Sequence, residues 1–266
     1  IVRVLGNLYL TWDTIVPISM FRSLQSLRVI RCRTMHTISC SNSLVNAKSE
    51  FLGGTQMEDG EPLRWYSCGP TVYDSSHLGH ARTYICTDII RRILSEFFRV
   101  PVHFALGITD VDDKIIMRAK EQGHSNWKGM REFAKQFEES YFNDMAALGI
   151  MRPHAILRVT DHMEDIESFV ATLLAKGYAY EGPDGVWFDV RKIENSYGAL
   201  GNVPPISSDE KNKNETEMEA GIGKRYPRDF SLWKAAKPGE PYYDSNILGA
   251  GRPGWHIECS AVVNSY

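Results

Sequence analysis

A cysteine and two histidines lie close together in the stretch YSCGPTVYDSSHLGH, residues 66–80. Cys68 could bind a metal ion, because zinc prefers thiolate sulfur as a ligand. His77 and His80 could donate hydrogen bonds to a phosphoryl group as charge builds up in a transition state. Gly79 between them would let a ligand approach the backbone closely. Surface or helix-capping histidines explain the same spacing equally well.

The residues around this stretch predict a strand, a loop and a helix. Residues 63–68 suit a short strand that ends at Gly69-Pro70. From Leu78 to Phe97 apolar residues recur every three or four positions, which indicates an amphipathic helix. The histidines would lie at the start of that helix, where unpaired N–H groups and the helix dipole favour a phosphate.

The residues that follow repeat this order of elements. Alternating apolar residues from 102 to 108 predict a second strand, and residues 110–113 open a second helix that runs to Ala119. Two such units in succession predict an α/β fold with a parallel sheet of nucleotide-binding type. Because ligands bind at the carboxyl ends of parallel strands, we expect Cys68, the histidines and Thr109 to lie near each other.

The remainder of the chain is predicted to contain helices, a hairpin and a flexible loop. Residues 127–176 have helical stripes of apolar side chains, and residues 178–190 are typical of a hairpin around a Gly-Pro-Asp-Gly turn. Residues 207–219 are polar and charged, which predicts a flexible loop before order resumes at Asp229. We therefore divide the folded part into residues 51–126, an insertion at 127–227 and a third segment at 228–266.

Composition restricts the class of protein. A hydrophobic content of 43% and a charged content of 24% are ordinary for a soluble globular protein. The net charge of −3 argues against a broadly basic nucleic-acid-binding surface, although it leaves room for a local basic groove. The five cysteines form no CxxC pair, which favours a reducing compartment with thiols available for metal binding or catalysis.

The first fifty residues have a different composition. Residues 20–49 contain four arginines and one lysine but no acid, and they are rich in serine. These features predict that residues 20–50 are a mitochondrial transit peptide, or a plastid one in a plant. A disordered basic tail is the alternative. Residues 1–19 begin with isoleucine, so we expect them to be translated upstream sequence or a gene-model artefact.

Four blocks of residues resemble the cysteinyl-tRNA synthetases, which are class I aminoacyl-tRNA synthetases. The first joins the Cys-Gly-Pro-Thr-Val-Tyr signature to a His-x-Gly-His element. The resemblance covers the chain from about residue 63 to its end. The blocks are CGPTVY with HLGH (68–80), GITDVDDKII (107–116), DFSLWKAAKPGE (229–240) and GRPGWHIECS (251–260).

The resemblance implies a fold, an activity and a set of binding residues. It implies a Rossmann-like class I catalytic domain with a largely helical insertion, which activates L-cysteine with ATP and Mg²⁺ and transfers it to tRNA(Cys). The apparent transit peptide points to the mitochondrial form. The implied residues are Cys68 and Cys259 for zinc, Gly69, Thr109 and Trp255 for cysteine, and His77, Gly79 and His80 for ATP, with the two histidines catalytic. Without the resemblance, Cys259 would be interpreted as a small buried hydrophobic residue.

Some features of the family are not found in the chain. Met117 replaces a basic residue, and the later HHENE block and KMSKS loop do not occur, so we expect a catalytic domain that is incomplete at its C-terminus and inactive alone. Two other functions stay open, namely a tRNA-independent ligase that joins cysteine to an amino-sugar and a non-catalytic fragment that docks to a partner. Residues 70–72, Pro-Thr-Val, favour the synthetase. Asp110, Asp112 and Asp113 could bind magnesium, but helix capping is the better explanation.

Overall fold

The structure is a computed structural model that describes residues 39–42, 45–51, 61–193, 196–199 and 223–266. The predictions for residues 1–19, for most of the transit peptide and for the loop at 207–219 lie outside these ranges. Within them, no helix is both long enough and apolar enough to cross a membrane.

The described ranges contain ten strands and five α-helices, with short π- or 3₁₀-helical turns between some of them. In chain order they are β1 Ser39–Asn42, β2 Ala47–Glu50, β3 Leu63–Thr71, α1 Leu78–Arg92, β4 Val102–Thr109, α2 Asp113–Glu121, α3 Trp127–Ala147, β5 Ala155–Arg158, α4 Met163–Ala175, β6 Ala179–Gly182, β7 Gly185–Phe188, β8 Phe230–Ala235, β9 Tyr243–Ser245, β10 Gly249–Pro253 and α5 Trp255–Ser265.

A three-stranded parallel sheet carries the candidate site, which confirms the predicted α/β class. Its strand order is β3-β4-β5. The six residues from Phe104 to Thr109 on the central strand are all buried, so both faces of β4 are covered. Ile108 packs in one core with residues of α2 and α3 such as Ile115 and Phe133. Each such side chain contributes about 1.5–3 kcal/mol on burial, which fixes the strand that ends at Thr109.

Strand β3 does not end at Gly69-Pro70, as we expected, but continues to Thr71. A Cβ at Gly69 would lie 2.1 Å from the carbonyl oxygen of Gly107, so only glycine lets the two strands pair this closely. The pairing register shifts between Cys68 and Thr71. Pro70 lies within that irregular step, where the missing N–H of proline is tolerated.

Strand β5 was not predicted. Its four residues lie in the region that we expected to be mainly helical, and they extend the parallel sheet into the segment assigned to the insertion. A run of four residues, Ala-Ile-Leu-Arg, is too short to establish a period-2 pattern. The domain boundaries at 126 and 227 stay predictions.

A second sheet is antiparallel, with strand order β6-β7-β8-β10-β9. The predicted hairpin is confirmed as β6 and β7, and Gly185 after its turn has a φ of +136°. The segment after residue 228 adds no strand to the parallel sheet within the described residues. Instead β8 pairs antiparallel with β7, and β10 then leads into α5. Helix α5 packs against β4 and β8, which brings its first turn to the carboxyl end of the parallel sheet.

A small antiparallel sheet precedes these elements. Ser39 of β1 lies opposite Glu50 of β2, and Asn46 in the turn has a φ of 49°. Asparagine tolerates this left-handed conformation better than most residues. From the sequence we expected ordered structure to begin near Leu63, and this expectation is wrong for residues 39–42 and 45–50.

Asp113 connects α2 to the antiparallel sheet. Its carboxylate accepts hydrogen bonds from Lys234 Nζ at 2.6 Å and from Arg252 Nε at 3.0 Å. Burial alone would raise the pKa of Asp113, but the two cations more than offset this effect and the pKa is lowered. The bonds therefore stabilise the fold above the pKa of the unfolded state, and this stabilisation is lost as pH falls through the lowered pKa.

We predict that Asp113→Asn lowers the free energy of unfolding at pH 7 by about 1 kcal/mol, a value kept small because the side chain is half-exposed. The difference from the unsubstituted chain should begin to shrink below about pH 4, where Asp113 of the unfolded chain takes up a proton, and should be lost once pH has fallen through the lowered pKa of the folded state. Urea unfolding at several pH values measures both effects. Asp244→Asn, at an exposed position on β9, is the control. An equal loss of unfolding free energy in this variant would show that the bonds of Asp113 are not the cause.

Candidate active site

The two cysteines implied as metal ligands lie together. Cys68 is on β3 and Cys259 is on α5, and their Sγ atoms are 3.1 Å apart although 191 residues separate them in sequence. A single zinc ion, whose bonds to sulfur are about 2.3 Å long, can reach both atoms of such a pair. The structure thus provides the pair that the resemblance requires, while their role as ligands stays a prediction.

The side chains near this pair provide only some of the ligands that a zinc ion needs. Among the described residues, no group of three or more histidine, cysteine, aspartate and glutamate side chains could hold a metal ion. The two thiols would then be part of a donor set, because protein zinc sites use at least three protein ligands. The hydroxyl of Tyr66 is hydrogen-bonded to Cys259, and the pKa of Tyr66 is raised by burial and then by the charges of the two cysteines. Sequence reasoning missed Tyr66.

Thr109, which was predicted to contact cysteine, is held by a buried carboxyl group. Its Oγ1 donates to Oε2 of Glu258 at 3.0 Å, and Glu258 is only 2% exposed. Burial raises the pKa of Glu258 well above its usual range. This hydrogen bond connects the end of β4 to the first turn of α5. The same helix carries Trp255 and Cys259. Sequence reasoning did not select Glu258, and its only sequence signal was its place beside Cys259.

The two histidines form the start of α1. The N–H of Gly79 donates to Nδ1 of His77 at 3.1 Å, and the N–H of His77 donates to Nδ1 of His80 at 3.3 Å. Their rings stack with centroids 3.9 Å apart. A Cβ at Gly79 would lie 2.8 Å from the His77 ring, so glycine is needed here. The capping explanation that we left open thus holds for both side chains.

Capping also determines which ring nitrogens remain for a ligand. Because Nδ1 of each neutral ring accepts a hydrogen bond, its proton must be on Nε2, which is then a donor. Burial and the neighbouring His77 lower the pKa of His80, so this ring stays neutral near pH 7. Both histidines can therefore cap the helix and donate to a phosphate oxygen at the same time.

A cleft of about 410 Å³ opens beside the histidines. Trp255, the first residue of α5, is 61% exposed and borders this cleft. Cys68, Thr109 and Cys259 are not among its lining residues, so the thiol pair lies beside the cleft and not within it. The cleft is lined by Thr71, Tyr73, Asp74, Ser75, His77, His80, Asp112, Lys114 and Trp255.

The three aspartates at the start of α2 do not converge on one ion. Asp110 is buried and accepts from the backbone N–H of Thr160 at 2.9 Å, and Asp112 caps α2 by accepting from the N–H of Lys114 at 2.8 Å. Asp113 is paired with the antiparallel sheet, as described above. The capping explanation is confirmed for Asp112, and the three carboxylates have separate partners.

Met117, the departure from the resemblance, is 55% exposed. The basic residue next to it, Arg118, pairs with Asp74 of the cleft at 3.1 Å. A cation near the cleft is thus supplied one position later in the helix.

Comparison with known proteins agrees with this geometry. Residues 55–266 match the family model for the class I (C) tRNA synthetase catalytic domain. A cysteine--tRNA ligase of Thermococcus gammatolerans is 48% identical over 225 residues, which are 85% of this chain and 44% of that protein. The cysteine--tRNA ligase of Pyrococcus horikoshii is 48% identical over 230 residues, 86% of this chain and 45% of that protein. The cytoplasmic cysteine--tRNA ligase of Dictyostelium discoideum is 42% identical over 84% of this chain and 34% of its own length.

The chain spans less than half the length of these relatives. The family model, in contrast, covers most of the chain, and it includes the parallel sheet, the cleft and the thiol pair. The chain therefore belongs to the class I tRNA synthetases, within the catalytic-domain family that includes the cysteine--tRNA ligases.

Proposed function

We propose that the chain is the part of a cysteine--tRNA ligase that binds L-cysteine and ATP, forms cysteinyl-adenylate and passes the cysteinyl group to tRNA(Cys). The observation that carries this proposal is the Cys68–Cys259 pair, with Sγ atoms 3.1 Å apart beside a cleft headed by two histidines. A pair of thiols suits a protein that must recognise a thiol. The names of the similar proteins support the same substrate and the same reaction.

ATP, with Mg²⁺, would bind in the cleft at the start of α1. The Nε2–H groups of His77 and His80 would donate to phosphate oxygens, whose negative charge shifts as pyrophosphate leaves. The positive end of the helix dipole adds to this effect. Because both rings are fixed by their caps, they need no reorganisation when the charge develops.

L-cysteine would bind between the thiol pair and the cleft. Gly69, Thr109 and Trp255 would contact it, with the Thr109 hydroxyl held by Glu258. Cys68 and Cys259 would hold zinc together with donors outside the described residues, and zinc would supply a Lewis acid that prefers thiolate sulfur to a serine hydroxyl. A site built around this preference rejects serine without a separate editing step.

Cysteine-dependent exchange between ATP and pyrophosphate tests the proposal. Because the chain spans less than half of its relatives, we would measure exchange in the chain alone and in a fusion that adds the remaining part of the Thermococcus gammatolerans protein. We expect exchange with cysteine but not serine in the fusion, followed by charging of tRNA(Cys), and no exchange in the chain alone. Transfer to an amino-sugar in place of tRNA would favour the alternative ligase, and an inactive fusion would favour a non-catalytic fragment.

We also propose a mitochondrial destination, or a plastid one in a plant. The support is the composition of residues 20–50, which have five basic side chains and only one acid, Glu50. A fluorescent protein fused behind residues 20–62 should accumulate in mitochondria. The control replaces Arg22, Arg28, Arg31 and Arg33 by glutamine and should stay in the cytosol. Diffuse fluorescence from the unsubstituted fusion would contradict the proposal.

A further inference from the structure

Lys114 is a cation of the cleft to which neither the resemblance nor the comparisons assign a role. It is the second residue of α2, is exposed, and lines the cleft together with His77 and His80. Its Nζ lies 5.2 Å from the centroid of the Tyr73 ring. In the described part of the chain it forms no ion pair, whereas the neighbouring Arg118 is paired with Asp74.

The two acids that line the cleft are engaged by groups other than the Lys114 ammonium. Asp74 is 3.1 Å from Arg118, which offsets its charge. Asp112 accepts from the backbone N–H of Lys114 and faces the positive end of α2, which its carboxylate compensates. Neither acid binds the Lys114 ammonium, so this ammonium is available to an anion that enters the cleft.

The Tyr73 ring gives Lys114 a defined place without occupying its hydrogen-bond donors. A cation over an aromatic face is held by the ring quadrupole, typically with about 0.5–1 kcal/mol at exposed sites. The ring provides no conventional acceptor, so the three N–H groups of the ammonium remain for oxygen atoms of a ligand. A carboxylate partner in the same place would have cancelled the charge.

We propose that Lys114 binds phosphate oxygens of the nucleoside triphosphate in this cleft. In this arrangement the oxygens contact the Lys114 ammonium and the Nε2–H donors of His77 and His80. The inference rests on the proposed function in naming the ligand as ATP. It adds a third donor, on a second helix, which would bind the phosphate chain in the substrate and in the pyrophosphate product alike.

Calorimetric titration of the purified chain with magnesium pyrophosphate and with MgATP tests the inference. Lys114→Met keeps the length of the side chain and removes its charge, and we expect Kd for both probes to rise roughly tenfold, the effect of one charge-assisted hydrogen bond. Lys114→Arg keeps the charge and should stay within about threefold of the unsubstituted chain. Lys120→Met, at an exposed position in the last turn of the same helix, is the matched control and should bind both probes unchanged.

Equal affinities in Lys114→Met and the unsubstituted chain would overturn the inference, and so would a failure of the unsubstituted chain to bind either probe. An equal loss in Lys120→Met would also overturn it, because the effect would then reflect net charge and not position. The proposed function is judged separately, by cysteine-dependent exchange in the fusion. Exchange that persists at normal ATP affinity in Lys114→Met would remove the inference and leave the function intact.

Discussion

Replacing His80 by alanine is expected to lower cysteine-dependent ATP–pyrophosphate exchange by roughly 100- to 1,000-fold, while the affinity for cysteine changes little. Donors that act on charge present only in the transition state have effects of this size, about 2.7–4 kcal/mol each. His80 suits this role because its Nδ1 is engaged by the N–H of His77, which leaves Nε2–H directed away from the cap. Exchange rates in the active fusion, with cysteine affinity measured by equilibrium dialysis, give the two quantities.

The capping role of His80 requires its own control. Loss of a cap costs about 1 kcal/mol of stability, so urea unfolding should show a change of that size and no larger. His80→Asn keeps both an acceptor and an N–H donor and should retain much of the rate. His124→Ala, in the loop between α2 and α3 and outside the cleft, should leave the rate unchanged. If cysteine affinity falls as far as the exchange rate, His80 is a structural residue and not a catalytic one.

Local sequence patterns predicted the elements that hold the site. The period of apolar residues after His77 gave α1, and the apolar run after Pro101 gave β4, because each pattern follows from which side faces the core. Position within those elements then placed Thr109 and the histidines at one edge of the sheet. The predicted end of β3 was wrong because a glycine normally interrupts a strand, whereas Gly69 allows close pairing with Gly107.

Contacts between distant segments could not be predicted from local patterns. Only the resemblance predicted that Cys68 and Cys259 form a pair, because no rule of sequence spacing connects residues 191 positions apart. Tyr66 and Glu258 were missed for the same reason. Each has an ordinary place in its own element, and each acquires its role only where α5 packs against the parallel sheet. The hairpin of β6 and β7 was predicted, but its pairing with β8 was missed because these strands come from segments on both sides of residues 200–222.

Replacing Cys259 by serine is expected to lower zinc affinity roughly 100-fold or more. Structural zinc sites with four ligands bind with about 10–16 kcal/mol, so a single ligand accounts for about 3 kcal/mol. The same loss is expected for Cys68→Ser, because the two sulfur atoms are 3.1 Å apart and would share one ion. Cys86→Ser, at an exposed position on α1, is the matched control and should retain its zinc.

The assignment of Cys68 and Cys259 as zinc ligands is tested by the zinc content after dialysis against a mild chelator. This content is measured in the fusion and in the chain alone. The chain should hold zinc weakly, because its described residues provide two donors while protein sites use at least three. In the fusion, both cysteine variants should lose zinc and with it the preference for cysteine over serine, since a hydroxyl is a poor ligand for the ion. Charge-transfer absorption of a cadmium-loaded fusion should fall in each cysteine variant as thiolate ligands are removed. Stoichiometric zinc in Cys259→Ser would show that the pair is not a metal site and that discrimination against serine has another source.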